Sequence, residues 1–135
     1  MVEIQIAYEG SLHCSARHGP SGTTMTTDAP KDNMGKGESF SPTDLVATAL
    51  GTCMLTTMGI AAQRMEVDLT GSRAVVTKEM TTEGPRKIAR LGVTITLPIK
   101  VTAEQRQKLE NAGHSCPVTK SLHPEVKIPV TYQWG

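Results

Sequence analysis

Three cysteines, Cys14, Cys53 and Cys116, are the side chains best suited to chemistry in this 135-residue chain. Cys53 falls midway along an apolar stretch and shares a helical face with Val46, Ala49, Leu50, Thr57 and Ile60 at three-, four- and seven-residue intervals. A thiol on such a face can be a small core hydrophobe or a nucleophile held on a rigid helix. Cys116 is followed by Pro117 at what looks like a helix start, where unpaired backbone N–H groups favour a thiolate, although a cap alone would look the same. Cys14 alternates within a strand-like segment beside His13 and reads as packing or surface. No Cys-x-x-Cys occurs, which excludes a thioredoxin-like dithiol, so any disulfide joins residues distant in sequence.

Metal binding competes for the same letters. His13, Cys14, His114, Cys116 and His123 could be gathered around one zinc ion. His-Ser-Cys and adjacent His-Cys do not reproduce common ligand intervals, and the two ends of the chain would have to converge. The expectation is therefore sulfur chemistry with no metal and no cofactor.

The elements that must position these residues are legible in turn. Short β-friendly pieces between Val2 and about Asp28, split by Glu9-Gly10 and by Gly19-Pro20-Ser21-Gly22, predict an N-terminal antiparallel meander. APKDNMGKGESFS has no apolar periodicity and predicts a connecting loop. Ser41-Pro42-Thr43-Asp44 has a capping residue, a proline suited to the first helical position and an acid at capping-box spacing. It opens LVATALGTCMLTTMGIAAQRM, apolar almost all round, which predicts a central buried helix. VDLTGSRAVVTKEMTTE and KIARLGVTITLPIKV alternate as two antiparallel strands around Gly84-Pro85. Thr102 and Gln105 have capping-box spacing before EQRQKLENA, with Gly113 placed to end that helix in a left-handed conformation. A short helix after Cys116 and a closing strand, VKIPVTYQW, with Pro129 indicating an edge or a bulge, complete an α+β unit expected to be one domain, 1–135.

Composition narrows the function classes. Fourteen Lys plus Arg against thirteen Asp plus Glu, with no basic stripe and only four aromatic residues, argue against nucleic acid. No uninterrupted apolar stretch approaches the roughly 20 residues of a membrane span. The polar start MVEIQIAYEG lacks the basic-then-apolar order of an export signal, so no membrane association and a cytoplasmic location are expected. So small an aromatic supply also makes pairing with a second copy a reasonable way to complete the core.

FSPTDLVATALGTCMLTTMGIAA resembles the central-helix signature of the osmotically inducible protein C family, which includes the organic hydroperoxide resistance proteins. GHSCPVTKSLHPEVKIPVTYQW resembles the family's C-terminal signature, and the order of elements corresponds over nearly the whole chain. The resemblance implies antiparallel sheets around a long central helix, an intertwined homodimer, and two active sites at the interface. Cys53 would be the peroxidatic thiol, forming a sulfenic acid on meeting a small-molecule hydroperoxide, and Cys116 the resolving one. An arginine of the N-terminal meander would stabilise the thiolate; Arg17 is nearest to that place, with His18 as substitute. The reductant, a thiol, is not named by the sequence. Ten positions before the peroxidatic cysteine, the organic hydroperoxide resistance branch has an acidic residue where this chain has Thr43. Asp44 and Glu38 are the nearby acids, but Asp44 lies nine residues, or half a turn in phase, from Cys53 and can be a cap only. That departure fits a less characterised branch of the family. It also keeps open a non-catalytic ligand-binding or interaction protein on the same fold.

Overall fold

A computed structural model describes residues 1–135, which form two compact units, Met1–Val46 and Ala47–Gly135. In the first, β1 (Ile4–Tyr8), β2 (His13–His18) and β3 (Thr24–Asp28) make the expected antiparallel meander in the order β1-β2-β3. Register pairs Ile6 with Ala16 and Ala16 with Met25, and Tyr8 with Cys14, so these side chains share one face. Ile4, Ile6, Tyr8 and Met25 on that face are exposed. Gln5, Arg17 and Thr24 share the other.

The connecting loop holds one turn of 3-10 helix, Lys31–Asn33, and folds back on Asp28. Phe40 accepts from the Asp28 N–H at 3.1 Å, and Gly37 donates to Ala29 at 3.2 Å. Gly35 is required here, because a Cβ would fall 1.7 Å from the Ala29 carbonyl oxygen.

Helix α1 (Pro42–Arg64) starts at the predicted cap. Ser41 Oγ accepts from the Asp44 N–H at 3.1 Å while Asp44 Oδ2 accepts from the Ser41 N–H at 2.9 Å. Burial follows one stripe, Ala47, Leu50, Gly51, Met54, Met58 and Ala62. Within one chain the other side of the helix is left open: Thr48, Thr52, Thr56 and Ile60 are exposed. A correction concerns membranes, since α1 is by length and composition apolar enough to cross one. A core helix passes the same test, and the buried stripe of α1 is spent on protein packing.

In the second unit that stripe meets a sheet of β4 (Arg73–Met80), β5 (Ile88–Leu97) and β6 (Val130–Trp134), ordered β4-β5-β6. Leu91, Val93, Ile95 and Leu97 are buried at alternate positions of β5, as period two requires. Gly51 lets the helix approach β4 closely, because a Cβ there would sit 2.9 Å from Val76 Cγ2. The sheet is mixed and not purely antiparallel. β6 runs parallel to β5, since helices α2 (Ala103–His114) and α3 (Pro117–Ser121) carry the chain across before it pairs. β6 is an edge strand, in keeping with Pro129 just before it.

The capping box of α2 forms as expected between Thr102 and Gln105. Its stop differs. Gly113 does not end the helix in a left-handed conformation but lies buried inside it, and Ser115 caps instead. The reason is space: a Cβ on Gly113 would lie 2.9 Å from the Tyr132 hydroxyl and 3.2 Å from Met58 Sδ.

Candidate active site

Both thiols of chemical interest belong to the second unit, and all three cysteines are free. Cys53 sits about 60° round α1 from Leu50, at the edge of the buried stripe, because three residues turn an α-helix through nearly a full circle. It is accordingly half-buried, neither a core hydrophobe nor a surface thiol. Its carbonyl accepts from Thr57 Oγ1 at 2.8 Å, a local bond within the helix.

Cys116 is fully buried and is the N-cap of α3. With extended backbone, φ −66° and ψ 143°, it turns its sulfur over the first turn, where Thr119 N–H donates to Sγ at 3.4 Å. Thr119 Oγ1 lies 3.0 Å from the same sulfur. Three residues earlier, Gly113 packs on Met58 of α1. Met58 is five residues beyond Cys53, about 7.5 Å of helix rise and about 140° round the helix, so the segment that leads to Cys116 docks on the helix that bears Cys53 but on another face of it.

Tyr132 closes this region from β6. Its hydroxyl donates to the Glu110 carbonyl at 3.3 Å, and its ring meets the His114 ring edge-on at 5.6 Å. Burial, then the charges of Glu110 and Cys116, push the phenol up to about 12. Trp134 donates Nε1 to Glu110 Oε1 at 3.0 Å, and the Arg106 guanidinium lies 5.2 Å from the Trp134 ring centre. The end of α2 is thus fastened to the sheet edge.

In the first unit Arg17 is exposed on β2, its guanidinium beside Gly22 of the following turn. His18 is engaged locally: Nδ1 accepts from the Ser21 N–H at 3.3 Å and lies 2.6 Å from Ser21 Oγ. Asp44 is committed to the α1 cap, and Glu38 offers its backbone N–H to Asp28 Oδ2 at 3.2 Å.

Residues 35–131 match the family model for OsmC-like protein. The chain belongs to the OsmC-like family. Among solved structures it is similar to a candidate osmotic stress induced and detoxification response protein from Psychrobacter arcticus, at 42% identity and a TM-score of 0.93, over 98% of this chain and 96% of that one. The fold alone is shared with an OsmC like protein from Mycoplasma pneumoniae, at 16% identity and a TM-score of 0.82, covering 99% and 96% of the chains. It is shared likewise with an organic hydroperoxide resistance protein from Elizabethkingia anophelis, at 13% identity and a TM-score of 0.78, covering 100% and 96%. No curated protein matches.

In this OsmC-like chain His13 and Cys14 are adjacent on a strand and point to opposite faces, so the two do not converge on one ion. His13 has another use that sequence reasoning missed. Its Nδ1 lies 2.6 Å from Asp28 Oδ1, and its Nε2 lies 3.5 Å from Glu9 Oε1. The only signal was a histidine and an aspartate near the two ends of one predicted hairpin. Tyr132 was missed as well; a glycine inside the amphipathic pattern of α2 was the signal that another group approaches there.

Proposed function

We propose that this protein is a cytoplasmic thiol peroxidase that reduces organic hydroperoxides, and hydrogen peroxide less well, through Cys53 and Cys116. The observation that carries the reading is the placement of Cys116: a buried cap thiol, with an N–H donated to its sulfur, three residues beyond the contact of Gly113 with Met58 of α1, the helix that bears Cys53. The named likeness to an organic hydroperoxide resistance protein supports the substrate class.

In this mechanism the Cys53 thiolate attacks the outer oxygen of the hydroperoxide. The O–O bond breaks, the alcohol leaves with a proton, and Cys53 becomes a sulfenic acid. The Cys116 thiol then attacks that sulfur; the S–O bond breaks, water departs with the thiol proton, and a disulfide remains. Two equivalents of an external thiol restore both cysteines. Arg17 is the cation proposed to favour the Cys53 thiolate.

The two units are proposed to act as a single domain that pairs with a second copy. The exposed apolar residues Ile4, Ile6 and Tyr8 on one face of the β1-β2-β3 sheet support this, since a contiguous apolar patch marks an association surface.

Cys116 as a fully buried cap also fits a second reading, a ligand-binding or interaction protein whose cysteines only pack. Anaerobic thiol counting before and after one equivalent of cumene hydroperoxide decides between them. The peroxidase loses two of its three thiols per chain and releases one equivalent of alcohol. A protein that keeps all three thiols is not a peroxidase.

A further inference from the structure

The last turn of a helix leaves carbonyls without intrahelical partners and tends to fray, yet the end of α2 is held from two sides. From the sheet, the Tyr132 hydroxyl reaches the Glu110 carbonyl at 3.3 Å, and Trp134 Nε1 reaches the Glu110 carboxylate at 3.0 Å. From the helix layer, Met58 presses on Gly113, where there is no room for even a methyl group between Met58 and the Tyr132 oxygen. Cys116 follows three residues later, fully buried, so little free chain separates this clamp from the sulfur. With its phenol pushed up to about 12, Tyr132 stays a hydroxyl donor across the working pH range.

The geometry points to Tyr132 as a positioning residue for the resolving thiol: bonded to the Glu110 carbonyl and packed against Gly113, it fixes the end of α2 on the sheet edge and with it the place of Cys116, three residues on. This rests on the peroxidase reading. In the step it serves, the Cys116 sulfur attacks the sulfur of Cys53 sulfenic acid, the S–S bond forms as the S–O bond breaks, and the hydroxide leaves as water with the thiol proton. Cys116 is oxidised and the sulfenic sulfur is reduced, so no further oxidant is needed. Tyr132 acts through the backbone from Gly113 to Cys116, and its removal affects this second step alone.

The test is Tyr132→Phe, which deletes one oxygen and keeps the ring, with Gly113→Ala as a second probe that drives a Cβ into the clamp. Cumene hydroperoxide is added in slight excess, and Cys53 sulfenic acid is trapped with dimedone while disulfide and sulfinic acid are followed by mass spectrometry. In Tyr132→Phe, sulfenic acid forms within about twofold of the unmodified rate while the disulfide forms about tenfold more slowly, as expected for a misplaced reacting group. Cys53 sulfinic acid rises correspondingly. An unchanged disulfide rate in Tyr132→Phe overturns the inference, and so does an equal fall in both steps, which marks a merely structural role. Absence of sulfenic acid in the unmodified protein is a different result; it overturns the peroxidase reading and this inference together.

Discussion

His13 and Asp28 stand opposite one another on strands β2 and β3, with Nδ1 2.6 Å from Oδ1. The second oxygen of the same carboxylate takes the Glu38 N–H at 3.2 Å, so one buried aspartate joins a strand pair to the loop that leads into α1. The contact fixes that loop near its far end, since Asp28 N–H also donates to Phe40 at 3.1 Å.

Acid should loosen this join. The hydrogen bond from His13 holds the Asp28 carboxyl below its ordinary 3.8, helped by the His13 charge, the Glu38 N–H and Lys36, against the opposing effect of burial. A carboxyl depressed in the folded state stabilises the fold above its unfolded value, and that contribution is lost as pH falls below 3.8 through the folded value. Asp68, held down by Thr70, and Glu125, held down by Lys87, act in the same direction. Urea midpoints measured between about pH 2.5 and pH 6 should therefore fall on the acid side, and less steeply in Asp28→Asn. An acid limb of the same steepness in that variant would remove Asp28 from the account.

The reciprocal cap of α1 carries a separate expectation. Ser41→Ala deletes the acceptor of the Asp44 N–H and should cost about 1 kcal/mol of unfolding free energy. Measured at fixed protein concentration, a midpoint equal to that of the unmodified protein would show that the cap adds nothing.

For the thiols, Cys53→Ser should abolish hydroperoxide consumption. Cys116→Ser should permit one turnover and then inactivation as Cys53 passes to sulfinic acid. Chelator treatment should leave the rate unchanged, because sulfur alone carries the proposed chemistry. Full turnover by Cys53→Ser, followed by alcohol release, would end the hypothesis.

Pairing of two copies is best probed at Ile6, 69% exposed within one chain. Ile6→Lys should lower the dimer fraction in sedimentation while the single chain keeps its fold, and thermal stability of the unmodified protein should rise with its concentration. Leu50 is unsuitable, although it lies on the same helix as Cys53. It is already fully covered by its own chain, so Leu50→Glu would bury an unpaired charge and unfold the protein whatever its oligomeric state. A folded, fully active monomer at low micromolar concentration would refute the dimer.

The starts of α1 and α2 were legible because each cap closes within three residues. Ser41 with Asp44, and Thr102 with Gln105, bond as their spacing required. Cys116 as a cap before Pro117 was readable for the same reason. The β4–β5 pair was legible from alternation, which assigns Leu91, Val93, Ile95 and Leu97 to one face before any partner is known. The roles of Cys53, Cys116 and Arg17 come from family resemblance, and those of the two cysteines rest with the variants above.

The sequence by itself determined the α+β class, the caps, the meander and the strand faces, all of which depend on residues within a few positions of one another. Only the tertiary structure decided which side of α1 is buried, that β6 runs parallel to β5, that His13 meets Asp28, and that Gly113 is a contact point and not a stop. A glycine gains its place either from a left-handed backbone or from a close neighbour, and the two look alike in sequence. Here the neighbours are Met58 and Tyr132, 55 and 19 positions away, so the choice was made by packing between distant segments.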